Sequence, residues 1–265
     1  MAEQGITEPV LGLALDGLGL GPDSQLWGGE LLLVEGLQYR RLSHLPLLAL
    51  PGGDRAASEP WRSAAAVLHR LGRTDEIASR FAQPAAKTVQ QMLQQNFNCP
   101  HTSSSGRLFD AVASLLGICH TNSFEADAAM QLEASAYRYL QRHSLQDENS
   151  MIYFSESGQP VLDRLLTCIA DSGDPELGAA RFHHQLIDGL SRWVIGQSQT
   201  TKVNSVVLGG GCFLNQLLLQ GVTETLRVAG MTVYSASELP CNDAGISLGQ
   251  AQIAHWLAMQ NKNDK

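Results

Sequence analysis

The first 45 residues hold three short apolar runs joined by short, glycine-rich connections, a pattern that suggests an antiparallel meander. The runs are Val10 to Leu15, Glu30 to Val34 and Tyr39 to Leu45, the last with period-two alternation. Asp16 to Asp23 and then Gly36 supply the turns. After that the period changes. Glu59 to Leu71 opens with Ser58 as a cap and Pro60 in its first turn, the arrangement of a helix start. Ala85 to Gln95, Arg107 to Ile118, Glu125 to His143, Pro160 to Ala170 and Glu176 to Gly196 also read as helices. In one of them Leu108, Phe109, Val112, Leu115 and Leu116 fall on a single face. The polar stretch Ser144 to Gly158 reads as a surface loop. The chain ends as it began, in α/β style, with strands at Val203 to Leu208 and Met231 to Tyr234. Helices are expected at Cys212 to Gln220 and Ile246 to Met259, and a frayed tail at Asn261 to Lys265.

Three meandering strands, two crossover strands and covering helices make an α/β lobe of the ribonuclease-H-like, actin-like (ASKHA) kind. The expected division is a β-meander over 10–45, a helical insert over 58–198 and an α/β end over 203–259. At 265 residues and 44% hydrophobic content the chain is long enough for one large domain or two small lobes. Its formal charge of -8 argues against nucleic acid, since phosphate-backbone binding needs concentrated Lys and Arg. No apolar run approaches the roughly 20 residues of a membrane span. Five scattered cysteines without a CxxC give neither a disulfide framework nor a zinc knuckle, so a reducing cytoplasm is expected.

Several segments can carry chemistry, and each has a plainer alternative. Asp16, at a strand end and followed by Gly17, Gly19 and Gly21, suits a metal–phosphate site; it also suits a hairpin turn. Leu208 with Gly209, Gly210 and Gly211 leads into a helix start, where backbone N–H groups can approach a phosphate or nucleoside. Asn215 lies one turn further and can reach a ribose or base; close packing alone is the alternative. Asp243, after Cys241 and Asn242, can ligate a metal or simply cap the last helix. Asp54, in a Gly-Gly-Asp turn, can meet a ribose hydroxyl, and Arg107 can bind a phosphate or carbamoyl oxygen. Turn, cap and solvated arginine are the ordinary roles of these last two. His183 and His184 are adjacent and point apart on a helix, and no HxxxH or HExxH occurs. Cys212 stands beside the glycine triplet, but a buried hydrophobe is its ordinary role.

Taken in order, ALDGLGLGPDSQLWGGE, HLPLLALPGGDRAASEPWR, TSSSGRLFDAVASLLGI, AAMQLEASA, VVLGGGCFLNQLL and CNDAGISLGQA resemble the C-terminal, Kae1-like domain of HypF-type carbamoyltransferases, from about Val10 to about Trp256. The resemblance implies a hydrogenase-maturation enzyme that makes carbamoyl-adenylate from carbamoyl phosphate and ATP. It then passes the carbamoyl group to the C-terminal cysteine of a HypE-type partner protein. It implies a divalent metal (Fe, Zn or Mg) held by two histidines of an HxxxH and by two aspartates matching Asp16 and Asp243. It gives Gly209, Gly210, Gly211, Asn215 and Asn242 to the nucleotide, with Asp54 near the ribose and Arg107 and Asp110 as weaker matches. No HxxxH precedes the LALDG segment here, so Met1 is expected to be an internal methionine of a longer protein whose preceding domains are absent. That fragment alone is expected to be inactive, its uncovered apolar area inviting association. A threonylcarbamoyl transferase of tRNA, a sugar-kinase-like ATP-binding enzyme and a non-catalytic docking module are the alternatives to be separated by nucleotide binding.

Overall fold

The computed structural model describes residues 1–145 and 149–263. A single mixed sheet organises them. Strands β1 (Val10–Leu20), β2 (Leu26–Glu35) and β3 (Gln38–His44) form the antiparallel meander. Strands β4 (Leu48–Ala49) and β5 (His101–Thr102) add a short edge, β5 pairing with Leu26 at the start of β2. Two minor strands, β6 (Tyr153–Phe154) and β7 (Pro160–Val161), form a separate ribbon. Strands β8 (Ser205–Gly209) and β9 (Thr232–Ser235) extend the main sheet parallel to β1, giving the order β4-β5-β2-β1-β8-β9 with β3 also on β2. This is the expected α/β lobe. Both crossover strands bring their carboxyl ends to the end of β1 where Asp16 lies, the side on which open α/β sheets bind ligands.

The helices are α1 (Arg55–Ser58), α2 (Pro60–Arg70), α3 (Ile77–Arg80), α4 (Ala86–Gln95), α5 (Ser105–Leu115), α6 (Asp127–Leu140), α7 (Asp163–Ala170), α8 (Pro175–Thr201), α9 (Gln216–Val228) and α10 (Ile246–Asn263). The stretch expected to be wholly helical also contributes β5 to the sheet, so α5 begins directly at the sheet edge. The loop expected over 144–158 holds the short strand β6, while its residues 146–148 lie outside the described residues. Helix α10 continues to Asn263, beyond the expected end at Met259; residues 264–265 of the expected frayed tail are likewise outside the description.

One core serves the whole chain. Leu11, Leu13 and Leu15 alternate onto one face of β1 and are fully buried among Phe109, Val112, Phe182 and Leu186 of α5 and α8. Val206 and Leu208 of β8 bury against Leu218, Val222 and Leu226 of α9. The alternate residues Val207 and Gly209 line a cavity of about 310 Å³ together with Met1, Tyr234, Leu239 and Ile246. The chain's first turn closes part of it: Glu3 Oε1 accepts hydrogen bonds from the Ser237 and Glu238 backbone N–H groups at 2.9 and 2.6 Å. Residues 246–259 of α10 include no buried side chain, and Ile246, Ile253, Leu257 and Met259 are about half exposed. Among the described residues no helix is long and apolar enough to cross a membrane.

Candidate functional site

The first expected site residue is positioned by an irregularity. Pairing of β1 with β2 runs in register to Leu15↔Gly29, breaks, and resumes at Gly19↔Trp27. Asp16, Gly17 and Leu18 therefore face Gly28 alone, and the bulge turns Asp16 out of the ladder. The bulge is clamped from below by the start of α5. Ser104 caps α5 through the Arg107 N–H, and its Oγ lies 3.1 Å from the Asp16 carbonyl and closer still to that of Gly17. Ser105 Oγ donates to the Gly28 carbonyl at 2.7 Å. Gly106 lets the two backbones meet, since a Cβ there would stand 2.7 Å from Gly17 Cα. From β2, the buried Glu30 accepts from the Gly28 and Gly29 N–H groups at 3.1 and 3.2 Å, and from Ser103 Oγ. Its other oxygen accepts from Arg41 Nε at 2.5 Å, and Arg41 stacks over Trp27 at 4.2 Å. The WGGE and SSS segments are thus one hydrogen-bonded frame around Asp16.

The glycine triplet arrives from β8. Gly210 sits at φ +101°, and a Cβ there would fall 2.2 Å from the Leu15 carbonyl oxygen, so only glycine fits. Its N–H donates to the Cys241 carbonyl at 2.8 Å, tying the triplet to the segment that carries Asn242 and Asp243. A Cβ on Gly211 would lie 3.3 Å from Asp16 Oδ1 and 3.8 Å from Asn242 Cβ. Asp16, Gly211 and Asn242, widely separated in sequence, therefore share one surface, and Asp243 is the next residue along, exposed in a short turn before α10. The Asn242 side chain caps that turn by accepting from the Ala244 N–H at 3.2 Å, the role the sequence offered Asp243.

Two expectations change at α9. The helix does not start at Cys212: Asn215 is extended and acts as N-cap, so Gly211–Leu214 form a separate 3-10 turn. Nor are the first N–H groups of α9 left open for an anion. Asn215 Oδ1 accepts from Leu218 N at 2.9 Å, and Glu133, reaching over from α6, accepts from Gln216 N at 2.6 Å and Leu217 N at 3.3 Å. The helix positive end is already matched by a carboxylate. Glu133 is the member of this site that sequence reasoning passed over. Its segment AAMQLEASA was noticed, but nothing in one helix reveals which distant helix its carboxylate will cap.

The remaining expected residues divide. Arg107 and Asp110 pair with each other, Nη2 to Oδ2 at 2.9 Å, one turn apart on α5. Burial pushes the Asp110 carboxyl up to about 6, against the pull of Arg107 and of a hydrogen bond from the Asn122 side chain. Asp54 stands apart, exposed at the start of α1, beyond the end of β5 remote from the serines. Cys212 lies 3.2 Å from Ser105 Oγ. Burial raises its thiol to about 12, and the Asp16 charge adds to the rise, so it is no nucleophile. His183, which carried no expected role, is buried on α8 with Nε2 2.9 Å from the Asn215 amide nitrogen.

A resident metal is not fitted by these residues alone. Among the described residues no group of three or more His, Cys, Asp or Glu side chains is arranged to hold an ion. Asp16 and the exposed Asp243 remain the two carboxylates that the resemblance offers.

The order β3-β2-β1-β8-β9, with a bulged β1 and a glycine triplet meeting at one end, has relatives. Residues 12–250 match the family model described as carbamoyltransferase, Kae1-like domain, second subdomain. The chain belongs to the HypF carbamoyltransferase family. It is 45% identical to carbamoyltransferase HypF2 of Cupriavidus necator over 98% of its own length and 35% of that protein's. It is 44% identical to a carbamoyltransferase HypF homolog of the same organism, covering 96% of the chain and 67% of the relative. A crystal structure of full-length HypF in the phosphate- and nucleotide-bound form superposes with TM-score 0.85 at 30% identity, over 97% of this chain and 34% of that one. The chain thus spans about a third of HypF2 and of that solved HypF.

Proposed function

We propose that this chain is the nucleotide-holding part of a carbamoyltransferase that moves a carbamoyl group from carbamoyl-adenylate to the C-terminal cysteine of a HypE-type partner in hydrogenase maturation. The observation that carries the reading is the meeting of Asp16, Gly211 and Asn242 at the carboxyl ends of β1 and β8, in a family of which one solved member is in a phosphate- and nucleotide-bound form. The glycine-lined surface accepts the adenylate without a side chain in the way, and Asn215 and Glu133 flank its sugar end. Glu133 already neutralises the α9 terminus. The phosphate of the nucleotide therefore belongs at the bulge and the triplet, not at that helix end.

In the reaction the partner's thiolate attacks the carbamoyl carbon. A C–S bond forms, the bond from that carbon to the phosphate oxygen breaks, and AMP leaves with the electron pair. No protein nucleophile is needed. The chain's own part is to bind and orient: Glu30 and the serines fix the bulge, and Gly210 holds the triplet against it.

The test is equilibrium titration of the chain with ATP. Binding that Gly211→Val weakens at least tenfold supports the reading, because the added Cβ and its two methyls would crowd Asp16 and Asn242. No detectable ATP binding, or equal binding by the variant, overturns it. Transfer to the partner's cysteine, followed by mass spectrometry with a full-length relative, separates this function from phosphate transfer to a small alcohol.

A further inference from the structure

His183 is a buried titratable group that the mechanism above does not use. It sits on α8, 1% exposed, edge-on to Phe109 and Phe182 with ring centroids 5.7 Å away in each case. Its Nδ1 lies 2.8 Å from the Ala179 carbonyl oxygen. A carbonyl only accepts, so Nδ1 carries the hydrogen, and the neutral ring's Nε2 is left as an acceptor. Burial lowers the ring pKa to about 4, which keeps it neutral at working pH. The atom facing Nε2 at 2.9 Å must therefore be a donor, and it is the Asn215 amide nitrogen. The Asn215 oxygen is at the same time held by the Leu218 N–H. Both ends of the amide are thus assigned by neighbours with fixed polarity, and the flip that an asparagine ordinarily permits is closed off.

We propose that His183 is a positioning residue for nucleotide binding: it fixes the Asn215 amide so that its one remaining N–H is presented toward the glycine triplet. The ligand atom met there is then an acceptor, a ribose oxygen or a base ring nitrogen. This rests on the nucleotide reading of Asn215 given above, and the experiment separates the two.

The test compares three variants of the chain by ATP titration, with nitrogen-15 spectra of the wild-type imidazole. Asn215→Ala tests the underlying reading. His183→Phe keeps an aromatic ring but removes the acceptor, and His183→Gln restores an acceptor oxygen. Expected are a loss of about tenfold or more in ATP affinity for Asn215→Ala, a similar loss for His183→Phe, and recovery to within about threefold for His183→Gln. The wild-type spectrum should show Nδ1 protonated and Nε2 not. If Asn215→Ala weakens binding while His183→Phe does not, the positioning role is wrong and the nucleotide reading stands. If Asn215→Ala binds ATP as wild type does, both fall. Should the histidine variants not fold, the spectrum decides alone: a hydrogen on Nε2 overturns the proposal.

Discussion

Gly210→Ala tests the architecture of the site at its tightest point. The substitution adds one methyl group, yet the ideal Cβ lies 2.2 Å from the Leu15 carbonyl oxygen and 2.7 Å from its carbon. Both are backbone atoms of β1, so no side chain can rotate away. The residue also stands at φ +101°, outside the regions open to L-residues, which costs about 1–3 kcal/mol. Relief requires the triplet to move about 1 Å from β1, and that move stretches the Gly210 N–H to Cys241 carbonyl bond, worth about 0.5–1.5 kcal/mol. With the overpacking itself at about 1–3 kcal/mol, the expected loss is roughly 3–6 kcal/mol, a large share of the ~5–15 kcal/mol that holds a domain together. For a chain of this length that is a fall of very roughly 5–10 °C in Tm.

The assay is urea unfolding followed by circular dichroism, with Gly209→Ala as the control. Gly209 is the preceding residue, the last of β8, yet a Cβ there meets nothing within 4 Å and its φ is ordinary. The control should lie within about 1 kcal/mol of wild type. If the two variants unfold alike, the triplet is not wedged against β1, and the position assigned to Asp16 beside Gly211 is refuted with it.

Other expectations follow from the same frame. Asp110 has a folded-state pKa near 6 against 3.8 unexposed to the protein, so its neutral form is favoured by folding. Its contribution is full below pH about 4 and is lost as pH rises through 6, a change on the order of 3 kcal/mol; the difference in unfolding free energy between wild type and Asp110→Asn should fall by that amount from pH 4 to 8, since the opposite slope from the buried, neutral His183 is common to both and cancels. Glu30→Ala strands Ser103 and two N–H groups and leaves Arg41 only its longer pair with Asp23, and should cost about 3–5 kcal/mol by urea unfolding, where a loss under about 1 kcal/mol would contradict the clamp. Cys212, whose thiol burial raises to about 12, should alkylate with iodoacetamide at pH 8 more slowly than Cys168, which is similarly part-buried, read by peptide mass spectrometry; equal rates would contradict the raised thiol. Ile253→Glu and Leu257→Glu, on the uncovered α10, should leave unfolding free energy within about 0.5 kcal/mol of wild type.

The sheet was legible because its signals are local. Alternation and glycine turns place the meander within a few residues, and the crossover strands appear as short apolar runs between glycines. Strand ends were less visible: β1 runs on to Leu20 because the residues after its bulge re-pair with Trp27 and Leu26, and a bulge leaves no periodic trace. Asp16 and Gly210 were legible as members of strand-end motifs, and Asn242 as part of a turn before the last helix. What tied them together was not. Glu133 reaches the first turn of α9 from another helix, and His183 meets Asn215 across 32 residues of chain, and neither contact has any periodicity to announce it. Arg107 was read as a ligand-facing fork because it starts a helix; in the folded chain Asp110, one turn on, is its nearest charge.

Asp54 and Asn242 show why an acidic or amide residue in a turn before a helix is ambiguous from sequence and not from structure. Each lies in a turn that leads into a helix, and each can serve as a cap. The difference lies in what the sheet does next. Asp54 follows β4, a two-residue strand at the edge, so its turn faces solvent beyond the end of β5. Asn242 follows β9, and the Gly210 N–H to Cys241 carbonyl bond draws its segment across to the end of β8. One backbone hydrogen bond therefore converts a surface turn into a wall of the site, and it forms only because residue 210 has no side chain to hold β1 and the triplet apart. The same bond makes a sharp distinction available. A variant that lengthens the 236–240 loop should loosen Asn242 and Asp243 while leaving the Asp16 bulge clamped by Glu30 and the serines, so ATP affinity would fall with unfolding free energy nearly unchanged.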